Sequence, residues 1–137
     1  MIEIAKLTDA ELLKNVEDGT LDANLLTHKT QMRICWVFIN AYGLKKAIEK
    51  NNKFVDLYYE NDSSDFNQNL SRAYTEIIHD FMGKTSANDF YKMLNEFPRL
   101  KYDFKKIVRT HYGYDVLKEG FKKEQSKKIK VPVLFTF

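Results

Sequence analysis

The sequence predicts an all-α protein, a single compact bundle of five to seven helices with an extended C-terminal tail, forming one domain over residues 1–137. Three observations lead to that class. Apolar residues recur at helical spacing through most of the chain, between stops set by Gly or Pro. Glycine and proline are scarce, five and two in 137 residues, and no repeat or low-complexity tract interrupts the pattern. Ten Phe and eight Tyr sit within an apolar fraction of 44%, which is ample for one core at single-domain length.

Each element has its own signal. Thr8 followed by Glu11 is a capping box, Leu12, Leu13 and Val16 follow at helical spacing, and Gly19 offers a stop. Asp22 to Leu26 reads as a connector. The second helix should run from near Thr27 to about Tyr42, with Gly43 as its break. Its Met32, Ile34, Cys35, Trp36, Val37, Phe38 and Ile39 cover more than half of its circumference, which places it at the centre of the bundle. Leu44, Ala47, Ile48, Val55 and Tyr58 or Tyr59 outline a third helix, ending before Asn61-Asp62-Ser63-Ser64.

Ser64 suits the cap of a fourth helix, Asp65 to Met82, whose buried stripe is Phe66, Leu70, Ala73, Tyr74, Ile77, Ile78 and Phe81. Ser86 with Asp89 starts a fifth, carrying Phe90, Met93, Leu94 and Phe97 until Pro98 interrupts. Leu100, Phe104, Ile107, Val108 and His111 mark a sixth, closed by Gly113, and residues 114–121 read as a short helix or turn. The end, Val131-Pro-Val-Leu-Phe-Thr-Phe137, is apolar, and Pro132 bars a helix there. It is expected to strap across the bundle, because an exposed patch of that kind promotes association.

Composition removes several function classes. The lone Cys35 excludes an internal disulfide and any metal site built from several thiolates. No apolar stretch approaches the roughly 20 residues that span a bilayer. The opening residues are mixed and charged, unlike a signal peptide, so a cytoplasmic location is expected, with no membrane partner. Gly-x-Ser-x-Gly, a phosphate-cradling glycine loop, His-Glu-x-x-His and the calcium-loop pattern are all missing, and no cofactor or metal is expected. Net charge is +3, but six lysines against Glu119 and Glu124 put +4 into residues 118–130. With only Phe121 among those lysines, this reads as a solvated basic segment, and nucleic acid ranks low among partners.

Three histidines remain to be weighed. His28 stands in the first turn of the central helix, with Gln31, Met32, Cys35 and Trp36 on nearly the same face. A helix N-terminus disfavours imidazolium, so His28 should be neutral near pH 7, a state suited to a ligand or base. Its alternative is a histidine packed beside Trp36 and donating one hydrogen bond. His79 falls off the buried stripe of its helix and reads as a surface residue. His111 reads as a structural cap near a helix C-terminus.

The segments 12–21 and Leu-Thr-His-Lys-Thr-Gln-Met-Arg-Ile-Cys-Trp-Val-Phe-Ile (26–39) resemble a small, functionally uncharacterised bacterial all-helical family. That family carries His-x-x-His-x-Arg-x-x-Trp here and Tyr-His-x-Thr at the opening of a later helix. His-Tyr-Gly-Tyr-Asp-Val-Leu (111–117) and Val-Pro-Val-Leu (131–134) resemble its closing part. His28, Arg33 and Trp36 match, whereas Gln31 and Asn67 stand where the resemblance implies histidines and Phe66 where it implies a tyrosine. One imidazole among carboxamides is a poor transition-metal site. Gln31 and Asn67 still donate and accept hydrogen bonds.

The function expected first is small-molecule or ligand binding, in a pocket where the second and fourth helices begin. Gln31 and Asn67 would give polar contacts, with Trp36, Phe66 and Tyr74 as walls. His28 and Arg33 would also line it, or, if the protein is an enzyme, act as general base and as stabiliser of developing negative charge. A protein or nucleic-acid interaction module using the basic C-terminal segment is the remaining alternative.

Overall fold

The structure, a computed structural model, describes residues 4–58 and 64–112, and side chains for all of these except 64–69 and 109–112. The expected turn at 114–121, the basic segment 118–130 and the apolar tail 131–137 lie outside the described residues. Seven α-helices and no strand occur among the described residues. They are α1 (Asp9–Glu17), α2 (His28–Tyr42), α3 (Leu44–Tyr58), α4 (Ser64–Met82), α5 (Phe90–Glu96), α6 (Arg99–Tyr102) and α7 (Phe104–Tyr112). Two 3-10 turns, Ile4–Lys6 and Ala23–Leu25, precede α1 and α2. The all-α bundle read from apolar spacing is what forms.

Helix α2 is its axis. Every residue from Thr30 to Ile39 is buried, including the polar Gln31 and Arg33, so α2 has almost no solvent face. Helices α1, α3 and α4 all pack on α2, and α3 packs on α4. The α5–α7 arm closes another flank through Phe90, Leu100 and Phe104. At the start of α1 both halves of the capping box form, Glu11 N donating to Thr8 Oγ1 at 3.1 Å and Thr8 N to Glu11 Oε1 at 2.8 Å.

A single residue, Gly43, reverses the chain between α2 and α3. It sits at φ 84° and ψ 168°, a backbone region open almost only to glycine. At α5 the cap is Asp89, whose Oδ1 accepts from Lys92 N at 2.9 Å, so the helix begins after Asp89 instead of near Ser86. Ser64 lies inside α4 instead of capping it.

The expected sixth helix is interrupted at Asp103 (φ −136°, ψ 31°), dividing it into α6 and α7. This break has a tertiary purpose. In an unbroken helix the Leu100 carbonyl would accept from the amide four residues on; here it accepts from His28 instead.

Candidate functional site

Among the described residues two places have a claim to function: the surroundings of His28 and Arg33, and a groove beside Phe38 of α2.

His28 is the first residue of α2, after Thr27, whose hydroxyl accepts from Thr30 N at 3.2 Å and caps the helix. Both ring nitrogens have partners in the chain: Nε2 lies 2.9 Å from the Leu100 carbonyl and Nδ1 lies 2.7 Å from the Tyr74 hydroxyl. A carbonyl only accepts, so Nε2 carries the proton. Burial holds the imidazole pKa below its ordinary value, the Leu100 carbonyl opposing in part, so the ring is neutral. Its Nδ1 lone pair therefore accepts from Tyr74. Neutrality follows the sequence expectation, with burial as the leading cause. The Phe104 ring meets His28 edge-on at 4.9 Å and stacks on Tyr74 at 4.6 Å. His28 thus joins α2, α4 and α6 in one hydrogen-bonded pin.

Arg33 belongs to a separate network. Arg33 is 4% exposed, and its guanidinium donates to the carbonyls of Ile4 and Leu7, both at 2.6 Å, and to Asp9 Oδ1 at 3.0 Å. It also lies 5.3 Å from the Tyr91 ring centroid. A planar fork of donors suits this work: Arg33 clamps the N-terminal turn and the start of α1 onto α2.

The other expected site residues are distributed as follows. Gln31 and Tyr74 are buried, at 2% and 1% exposure, and Trp36 packs edge-on against Phe90 at 6.1 Å. Trp36 Nε1 is buried with no hydrogen-bond partner among the described residues. The structure brings His28 and Tyr74 together and sets Arg33 apart. Phe66 and Asn67 lie on the described backbone of α4, but their side chains are outside the described residues. Asn67 stands two turns before Tyr74, about 10 Å along the helix axis at 1.5 Å per residue.

Other reactive groups are placed as expected where described. His79 is exposed, and the side chain of His111 lies outside the described residues. Burial pushes the Cys35 thiol up to about 12, so it remains an inert thiol beside Thr75. Among the described residues no group of three His, Cys, Asp or Glu side chains gathers to hold a metal. No described helix is long and apolar enough to cross a membrane.

The groove lies between α1, α2 and α3 and encloses about 220 Å³. Val16, Phe38 and Phe54 make its floor, and Leu57, 67% exposed, stands at its edge. Glu17, Lys50 and Lys53 are its charged residues. Lys50 Nζ lies 3.0 Å from Glu17 Oε2 and 4.4 Å from the Tyr42 ring centroid, and the Tyr42 hydroxyl donates to both Glu17 oxygens at 3.0 and 2.9 Å. Burial would raise the Glu17 pKa, but the hydrogen bonds from Lys50 and Tyr42 outweigh it and hold the carboxyl below its ordinary value. The same contact raises Lys50 and Tyr42. Lys53, exposed beside this neutralised cluster, has no carboxylate partner among the described residues.

None of the groove residues was singled out as a site residue from sequence. The available signal was the alignment of Lys50 and Lys53 with Leu57, seven and four residues before it on one helix face, where an apolar side chain has no core to meet. No protein-family model, curated protein or solved structure matches the chain.

Proposed function

We propose that this protein is a ligand-binding helical domain, and that it takes a small amphipathic anion in the groove between α1, α2 and α3. The observation that carries this reading is an apolar floor with one uncommitted cation on its rim. Binding sites commonly combine apolar walls with a few polar groups that fix orientation. Glu17 and Lys50 neutralise each other, leaving Lys53 to attract a carboxylate or phosphate while the floor receives an apolar body. At roughly 30 Å³ per small non-hydrogen group, the scale of a water's share of liquid volume, the groove takes up about seven such atoms, and a longer ligand extends past its open edge.

Binding is favoured over catalysis because His28 and Arg33, the residues with the best chemical claim, are committed to separate structural networks. A general base needs a free lone pair within reach of substrate, and that of His28 holds the Tyr74 proton. The expected pocket at the starts of α2 and α4 is the second reading. It is supported by the partial exposure of His28 there and by the position of Asn67 on the same helix as Tyr74.

Thermal unfolding with octanoate as probe tests both readings. At roughly ten times its Kd a ligand adds about 1.4 kcal/mol to stability. The groove reading expects that increment in the wild type and in Asn67→Ala, and its loss in Lys53→Glu and Leu57→Asp. Loss in Asn67→Ala alone would move the site to the helix starts. No saturable increment with octanoate in any variant would refute binding of an amphipathic anion.

A further inference from the structure

A second surface sits at the corner where α6 ends and α7 begins. Tyr102 is 78% exposed; among the described residues only Leu57 is another large apolar side chain this open. The core does not use it: Leu100, Phe104, Ile107 and Val108 are the described residues these two helices bury. Fully burying a side chain of this size is worth roughly 1.5–3 kcal/mol, so Tyr102 is poorly accounted for by folding.

Its neighbours in sequence include three cations. Lys101, Lys105 and Lys106 are exposed, and none has a carboxylate partner among the described residues. The adjacent carboxylate, Asp103, is engaged by Arg99 at 3.8 Å. Lys101 Nζ lies 5.3 Å from the Tyr102 ring centroid, a cation–π contact on a solvated surface. Such a contact is weak, about 0.5–1 kcal/mol, and releases readily to a phosphate.

We propose that this corner binds single-stranded nucleic acid, a base stacking on Tyr102 and the flanking phosphates pairing with Lys101, Lys105 and Lys106. An exposed aromatic face with lysines near it in sequence is the combination that single strands recognise, because they offer bases and backbone charge together. A duplex keeps its bases stacked inside and would leave Tyr102 without a partner. The basic segment 118–130 supplies charge but only Phe121 as an aromatic. Tyr102, outside that segment, supplies the kind of stacking group whose scarcity there ranks nucleic acid low.

The test is fluorescence anisotropy of the full-length chain with a labelled oligothymidylate of about 12 nucleotides, a span within the usual 4–16 for a small single-strand site, at about 50 mM salt and above. Heparin, a polyanion without bases, is the control. Loss of one stacked base is worth about 1–3 kcal/mol, so Tyr102→Ala should weaken oligothymidylate binding roughly 5- to 150-fold. Heparin affinity and far-ultraviolet circular dichroism should stay unchanged, and Tyr102→Trp should retain binding. Replacing Lys101, Lys105 and Lys106 together with Gln should lower the slope of log K against log salt by about 2, at roughly 0.7 per phosphate contact. Two results would overturn the proposal: no binding at the lowest salt, or equal affinity in wild type and Tyr102→Ala, which would assign the contact to other lysines.

Discussion

Removing one oxygen atom, in Tyr74→Phe, tests the role of the histidine pin. Tyr74 is 1% exposed, and its ring stacks on Phe104 at 4.6 Å. Phenylalanine keeps that ring and opens no cavity of consequence, so the change removes the hydroxyl and with it the 2.7 Å bond to His28 Nδ1. An intramolecular hydrogen bond contributes about 1 kcal/mol net, and orphaning a buried acceptor costs about 1–3 kcal/mol. Because His28 is only partly buried, water relieves some of that penalty, and the expected loss is about 1.5 kcal/mol. At this chain length the melting temperature should fall by about 4 °C per kcal/mol, or about 6 °C.

His28→Leu removes both bonds and takes the imidazole partner from the Tyr74 hydroxyl and the Leu100 carbonyl, so it should cost more, about 2–4 kcal/mol. The double variant should be less destabilised than the two single losses combined, by about 1 kcal/mol, because both remove the same bond. Urea unfolding supplies the free energies, with an unchanged m-value as the check that the unfolded state is the same. If Tyr74→Phe stays within about 0.3 kcal/mol of wild type, or the coupling vanishes, the pin does not hold the bundle together.

Other consequences can be measured directly. Arg33→Lys keeps the charge but loses the fork, and should cost about 2 kcal/mol while lowering amide-exchange protection over residues 4–12 more than over α3 and α4. Gly43→Ala meets no atom within 4 Å but is strained by its φ of 84°, so it should destabilise by about 1–3 kcal/mol without altering the helices. Stability should also fall on acidification below the ordinary histidine value of 6.5, because His28 has a lowered folded pKa and the unfolded chain takes up the proton first. His28→Leu should flatten that limb of the stability curve. Glu17 acts further into acid: its depressed pKa adds stability above its ordinary value of 4.5, and this is lost as pH falls through the folded value. Glu17→Gln should remove that dependence.

Features written in short-range patterns are legible in the sequence. Thr8 and Glu11 are three residues apart and close their capping box locally. The run Met32–Ile39 is apolar on nearly all sides, so its helix had to be central. Features set by distant partners were not legible. Nothing near Asp103 marks a break, since its effect is to free a carbonyl for a histidine 72 residues earlier. Arg33 beside His28 suggested ligand chemistry, yet its partners are backbone carbonyls of residues 4 and 7, which leave no trace in side-chain identity. Leu57 lay outside the apolar outline of its helix, and only the position of α1 turns it into the edge of a groove.

The central claim is that the groove between α1, α2 and α3 is the binding site, and the most direct measurement is the map of backbone amide shifts during titration with octanoate. Saturating shifts are predicted at Val16, Phe38, Lys53, Phe54 and Leu57, which meet the groove from three helices. His28, Gln31 and Asn67 should stay in place. Shifts concentrated at those three residues, with the groove silent, would contradict the claim.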